Sequence, residues 1–180
     1  MKKIPFIKQV SLQKGIGLIE VLVAVLLVAF GLLGAAGMHV RSIDFTVDTE
    51  RRQMASTIAT ELLETMRSDT VTVLDTKGLP KTDLGGYEKK AGTALPTVSD
   101  SECQPLGVSA STRMGCWGLR AKKLMPELTD DLLKDQFTVN ATGGVVSVTV
   151  AWPVKKGQCL NAATSASENE FCTFKLQSRL

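Results

Sequence analysis

A single carboxylate, Glu20, stands at the start of a long apolar run, and its position constrains the chemistry of the chain. No Lys, Arg, Asp or Glu occurs from Val21 to Val40, so a helix over those residues would be about 30 Å long, enough to cross a membrane. A carboxylate in this position has two interpretations. It reaches the water of the lipid headgroups at little cost, or it pairs with a positive group inside an apolar assembly, where an unpaired charge would be expensive.

The segment before Glu20 is basic and ends in a glycine. Its four lysines are accompanied by no acid: Lys2, Lys3, Lys8 and Lys14. Gly15 follows the last of them and stands five residues before Glu20. A secretory signal peptide would carry small residues for cleavage after its apolar run, whereas here the boundary precedes the run. Arg41 is the only basic residue in the ten that follow the run, which favours a cytoplasmic N-terminus.

Four cysteines, all far beyond the apolar run, indicate disulfides rather than a metal site: Cys103, Cys116, Cys159 and Cys172. None forms a C-x-x-C pair, and the only histidine, His39, lies at the end of the run, so no zinc or other metal site is expected. Disulfides require an oxidising compartment, which is the periplasm or the cell exterior. Pairing Cys103 with Cys116 and Cys159 with Cys172 is favoured because each bridge closes a short loop. The alternative is one bridge with two buried thiols.

The sequence predicts neither an enzyme nor a bound cofactor. A Ser-His-Asp or Cys-His arrangement would have to use His39, which lies at the end of the apolar run, away from the predicted globular domain. The acids of the second half lack the spacing of a calcium loop and are interpreted as solvated loop residues. The net charge of +3 depends on the four leader lysines; without them 17 basic residues face 18 acids. That balance argues against a nucleic-acid surface.

The pattern along the chain predicts an α+β fold, with a long N-terminal helix packed on a small antiparallel sheet. Residues 16–40 form its apolar, membrane-spanning half and residues 41–69 its amphipathic half, and the helix ends between Arg67 and Thr72. The predicted apolar stripe of the second half is Ile43, Val47, Met54, Ile58, Leu62 and Met66. The residues predicted to fill its polar faces are Asp44, Asp48, Arg51, Arg52, Glu61, Glu64 and Arg67.

Residues 70–180 are predicted to form a globular α+β domain that contains the disulfides. Residues 70–116 are rich in turn formers and predict a variable connection, and residues 126–133 predict a short helix with Pro126 in its first turn. A half-buried hairpin with a Thr-Gly-Gly turn and a last strand should follow. The strands are predicted at residues 137–140, 145–152 and 172–177, with a polar loop at residues 155–170.

The order of basic leader, glycine, glutamate at the fifth position and uninterrupted apolar helix resembles the class III leader of type IV prepilins. The run Gly15-Ile16-Gly17-Leu18-Ile19-Glu20-Val21-Leu22-Val23-Ala24, followed by Gly31-Leu32-Leu33-Gly34, is most similar to the minor pilins of the PilV subfamily. Major pilins more often show Phe-Thr-Leu after the cleaved glycine. The resemblance to the type IV pilin family is clear over residues 11–70 and weaker in the C-terminal strands, and it implies a pilin-like fold.

This resemblance implies that the chemistry is done to the chain. A prepilin peptidase would cut between Gly15 and Ile16, removing residues 1–15, and the same enzyme family would N-methylate the Ile16 amine. Glu20 would then pair with the Ile16 amine of a neighbouring subunit. The implied location is the inner membrane, single-pass with a periplasmic C-terminal domain, and afterwards the extracellular pilus. The implied partners are the prepilin peptidase, other minor pilins and the major pilin.

The expected function is that of a minor pilin that starts or modifies pilus assembly, with effects on adhesion, twitching motility or DNA uptake. One alternative is an adhesion or DNA-uptake binding subunit at the pilus tip, which would contact a tip adhesin, a surface or DNA through residues 70–116 or 155–170. Direct nucleic-acid binding is not expected there, because no aromatic or basic cluster is present. Another alternative is a pseudopilin of a type II secretion system, which shares the leader and the helix.

Three glycines recur every third residue inside the apolar run: Gly31, Gly34 and Gly37. Each costs about 1 kcal/mol relative to alanine in a helix. They are interpreted either as a surface for close helix-to-helix contact or as a segment that unwinds when the subunit leaves the membrane for a filament.

Overall fold

The computed structural model describes residues 17–104, 108–154, 159 and 170–180, and these form an α+β protein. The helices are α1 (Leu18–Ser68), α2 (Thr70–Val73), α3 (Ala110–Leu124) and α4 (Asp130–Gln136), and the strands are β1 (Thr138–Thr142), β2 (Val145–Pro153) and β3 (Phe171–Ser178). The three strands form one antiparallel sheet in the order β1-β2-β3. The predicted α+β class, long N-terminal helix and small antiparallel sheet are confirmed. The chain divides after Asp44 into two compact units.

Residues 45–68 of α1 contribute one face to the core of the second unit. The buried side chains of this face are Ala55, Ile58, Ala59, Leu62, Leu63 and Met66. The predicted stripe is therefore right from Ile58 onward, but it is wrong at Ile43 and Val47, which are exposed. Successive residues turn by about 100°, so Asp48 lies near the centre of the buried face, Val47 lies at its margin and Ile43 lies outside it.

Asp48 is the clearest error in the predicted polar faces of α1. It is only 8% exposed, because it stands seven residues before Ala55 and so shares the core-facing side. Neither carboxylate oxygen of Asp48 has a hydrogen-bond partner among the described residues. One turn further on, Arg51 is half-buried; it donates to the Pro153 carbonyl oxygen at 3.3 Å and pairs with Glu127 at 3.1 Å. Polar groups thus close the core at this end of the sheet.

The hairpin and the last strand lie within one or two residues of their predicted bounds. Gly143 and Gly144 form the two-residue turn with φ of 60° and 78°, a left-handed geometry that favours glycine. The predicted inward residues of β2 are all buried: Val146, Val148, Val150 and Trp152. The half-buried pattern is wrong for the other face of β2, where Ser147 and Ala151 are also buried, and helix α4 packs against this strand.

Two helices differ from the predicted pattern. Helix α3 begins inside the segment predicted as a turn-rich connection, with Ser109 as its N-cap accepting the Thr112 amide at 3.2 Å. Its Gly115 has no room for a side chain, because a Cβ there would lie 2.6 Å from the Pro96 carbonyl oxygen. The helix predicted at residues 126–133 begins later, at Asp130, because Thr129 supplies the cap by accepting the Leu132 amide at 3.2 Å.

Asp69, one residue after α1, joins that helix to two other parts of the second unit. Its Oδ2 accepts the Tyr87 hydroxyl at 2.9 Å and lies 3.6 Å from the Arg113 guanidinium, and its Oδ1 accepts the Thr72 hydroxyl at 2.7 Å. Burial, together with the hydrogen bond and the charge of Asp69, raises the pKa of Tyr87 to about 12. The neutral phenol is therefore the form that the folded chain stabilises.

We expect the tyrosinate absorbance of the native chain to appear near pH 12 rather than near pH 10.0, where an ordinary tyrosine titrates. Tyr87 is the only tyrosine, so the titration reports this group alone. Because the folded pKa lies above the unfolded one, the contribution to stability is complete below pH 10 and is lost as the pH rises towards 12. The Asp69→Asn variant keeps an acceptor but loses the charge, so it should lower the pKa of Tyr87. A native titration near pH 10 would contradict the assignment.

Candidate functional site

The first half of α1 exposes apolar side chains along its whole described length. The most apolar stretch of this helix has a mean hydropathy of 2.7, and none of that stretch is buried within the chain. The core helix of a soluble protein would be buried, and such a contiguous apolar surface marks a membrane or protein contact. The helix is long and apolar enough to cross a membrane. Its largest exposed side chains include Leu18, Ile19, Leu27, Phe30, Leu33 and Met38.

Glu20 lies in the first turn of α1, where its amide donates to the Gly17 carbonyl oxygen at 2.9 Å. A negative charge is favourable at a helix N-terminus, where backbone N–H groups lack partners. The side chain is exposed, and its carboxylate makes no ion pair with any described residue. Gly15 and Ile16, the predicted cleavage site, lie outside the described residues.

The helix is uninterrupted through the three glycines of the apolar run. A Cβ built at Gly31, Gly34 or Gly37 meets nothing within 4 Å. No contact among the described residues therefore requires glycine at these positions. Both interpretations of the triplet, close helix-to-helix contact and local unwinding, concern an assembled state.

The second unit is crosslinked by the two bridges that the spacing predicts. Cys103 pairs with Cys116, which joins the turn at Asp100–Cys103 to α3, and Cys159 pairs with Cys172 of β3. The Cα atoms are 5.6 Å apart in each pair, within the usual range for a disulfide. By restricting the unfolded chain, a bridge over a loop of this size contributes about 3 kcal/mol.

The two segments named as binding candidates differ in how much the structure shows of them. Of residues 155–170, only Cys159 and Glu170 are described. Within residues 70–116, the extended segment at 94–98 borders a pocket of about 380 Å³ against α3 and α4. Its lining includes Leu95, Val98, Gly118, Leu119, Lys122 and Leu133. Among the described residues, no group of three His, Cys, Asp or Glu side chains is arranged to hold a metal ion.

Two buried polar contacts were not predicted from the sequence. The Trp117 indole donates to the Ile58 carbonyl oxygen at 2.8 Å and so joins α3 to α1. The spacing of Met114, Trp117 and Ala121 on one helical face was an available signal for the burial of Trp117. The Lys89 ammonium donates to the Lys134 and Phe137 carbonyl oxygens at 2.9 and 2.8 Å, and burial lowers its pKa.

Comparisons of the chain with protein-family models, with curated proteins and with solved structures find no match.

Proposed function

We propose that this chain is a minor pilin of a type IV pilus, a structural subunit that starts or modifies pilus assembly. One observation carries the proposal: the apolar half of α1 has no buried residue in its most apolar stretch and begins with one exposed carboxylate. A plain membrane anchor accounts for the apolar surface but not for the acid in its first turn. A subunit that exchanges lipid for the apolar core of a filament accounts for both.

The role of Glu20 in this proposal is to pair with a positive charge that cleavage creates. A prepilin peptidase removes residues 1–15, and the new Ile16 amine is cationic before and after methylation. Inside a filament, the exposed apolar side chains of α1 pack on those of neighbouring subunits, and water is excluded. Leaving a charge unpaired there costs several kcal/mol, so the Glu20 carboxylate pairs with the Ile16 amine of a neighbour and fixes the axial position of the incoming subunit.

The disulfides of the second unit support a particular cellular location for the subunit. Its two disulfides require an oxidising environment, and the lysines of the leader favour a cytoplasmic N-terminus. Together they favour residues 16–40 across the inner membrane and the second unit in the periplasm. From there the subunit joins other minor pilins and the major pilin and leaves the membrane within the pilus.

We expect mass spectrometry of the chain from piliated cells to find Ile16 as the first residue, carrying one methyl group on its amine. Gly15 lacks a side chain that would block access to the scissile bond, so Gly15→Leu should leave the chain uncleaved. An N-terminus at residue 1 in piliated cells that process their other pilins would contradict the proposal. Subunits that co-purify with the processed chain would separate a pilus from a type II secretion filament.

A further inference from the structure

The outer edge of β3 is open among the residues that the structure describes. The Val154 amide donates to the Glu170 carbonyl oxygen at 2.9 Å. This bond determines which residue pairs of the β2–β3 ladder are hydrogen-bonded. Hydrogen-bonded and non-hydrogen-bonded pairs alternate along such a ladder. The backbone groups of Cys172, Phe174 and Leu176 therefore face β2. Those of the three residues between and after them face outward: Thr173, Lys175 and Gln177.

Among the described residues, the two edges of the sheet differ in whether another segment pairs with them. On the β1 side, Val139 exchanges two backbone hydrogen bonds of 2.9 Å with Lys89. On the β3 side, the Cys159 sulfur lies 3.5 Å from the Phe171 carbonyl oxygen and covers the start of the edge. No described strand or bridge pairs with residues 173–177 on that side. These five positions are the part of the edge that has no described partner.

The side chains along this edge specify what kind of strand fits it. Thr173, Lys175 and Gln177 are exposed on one face of the sheet, while Phe174 and Leu176 are half-buried on the other. An added strand would place apolar side chains beside Phe174 and Leu176 and polar ones beside the exposed row. Cross-strand pairs of opposite charge are favourable, so the residue opposite Lys175 should be acidic.

A second copy of this chain is a poor occupant of the edge. In an antiparallel pairing of two β3 edges, only one register uses all three outward residues of both strands. It sets Thr173 opposite Gln177 and Lys175 opposite the same lysine of the other copy. Like charges directly opposite each other are destabilising, and a lysine on an edge strand is a common protection against self-pairing.

We propose that residues 173–177 bind an extended segment of a partner protein as a fourth strand, and that this segment alternates apolar residues with polar ones and carries an acid opposite Lys175. Main-chain hydrogen bonds supply the affinity, and the contact with Lys175 supplies the preference for an acidic partner. The proposal rests on the second unit alone and does not depend on the chain being a pilin.

Amide hydrogen exchange of the full chain in detergent micelles tests the edge, with a synthetic peptide of alternating valine and glutamate as the probe. In the free chain, the amides of Thr173, Lys175 and Gln177 should exchange on the order of tenfold or more faster than those of Phe174 and Leu176. The peptide should slow the three outward amides by a similar factor. Equal protection of both sets in the free chain, or no slowing at millimolar peptide, would overturn the proposal.

Variants at Lys175 test the chemistry of the partner. Lys175→Glu should shift the preference to a peptide of alternating valine and lysine, and an unchanged preference for the acidic peptide would refute the charge pairing. Lys175→Pro removes an outward amide and should abolish binding while the Phe174 and Leu176 amides remain protected, because proline is tolerated on edge strands. Lys77→Glu is the matched control, since Lys77 is an exposed lysine outside the sheet and its reversal should leave the preference for the acidic peptide unchanged.

Discussion

Replacing Glu20 with alanine should leave cleavage after Gly15 intact while lowering the incorporation of the chain into pili by about a hundredfold. In the proposed filament, the alanine would remove the partner of the neighbouring Ile16 amine, and an unpaired charge in an apolar core costs about 3 kcal/mol or more. The exposed position of Glu20 in the first turn of α1 means that its removal disturbs no described contact within the chain. The measurement is the amount of chain in sheared pili relative to the membrane fraction.

Three further variants separate charge from shape and from general effects on the helix. Glu20→Gln keeps the size of the side chain but not its charge and should behave as alanine does, whereas Glu20→Asp should retain part of the incorporation. Glu50→Ala is the matched control, because Glu50 is an exposed acid of α1 beyond the apolar run. Normal incorporation of Glu20→Ala would refute the pairing role.

Replacing Trp117 with alanine should destabilise the second unit by about 3–5 kcal/mol, the usual cost of truncating a buried tryptophan. Trp117 is 1% exposed, its ring centroid lies 5.5 Å from that of Phe137, and its indole donates to the Ile58 carbonyl oxygen. The variant therefore loses both a packed ring and the hydrogen bond between α3 and α1. Urea unfolding of the full chain in detergent, with oxidised cysteines, measures the loss.

The size of this loss is checked with two milder variants. Trp117→Phe keeps an aromatic ring and should cost about 1–2 kcal/mol for the missing hydrogen bond and the smaller volume. Leu124 lies at the end of the same helix and is 42% exposed. Leu124→Ala should therefore lower the free energy of unfolding by much less than Trp117→Ala does. A Trp117→Ala variant within about 1 kcal/mol of the parent would show that α3 does not anchor α1 in this way.

The parts of the fold that were predicted correctly are those specified by local patterns. The hairpin follows from a glycine pair between two alternating runs, and the end of α1 follows from a stripe that stops near Met66. Helix α3 was missed because Gly115 and Gly118 lower its helix propensity. Those glycines are present for a nonlocal reason, since the extended segment at residues 94–98 packs directly on them.

The candidate site could be predicted where its residues are adjacent in the sequence. Glu20 and the apolar run are adjacent in the chain, so their register is visible without coordinates. The burial of Asp48 depends on the angle at which α1 meets the core, and the burial of Lys89 depends on carbonyl groups 45 and 48 residues away. The open edge of β3 likewise depends on which pairs of the ladder are hydrogen-bonded, which composition and periodicity do not report.

The two halves of helix α1 are under different evolutionary constraints, although they belong to one uninterrupted helix. Every described buried hydrophobic residue lies at Ala55 or later. Substitutions in the first half of the helix are therefore selected only for their contacts with the surroundings of the chain. There, one aliphatic residue can replace another as long as the surroundings accept it. In residues 55–66 the same exchange alters a packed core. Homologous sequences should therefore drift at different rates along the same helix, with the change near the middle of α1.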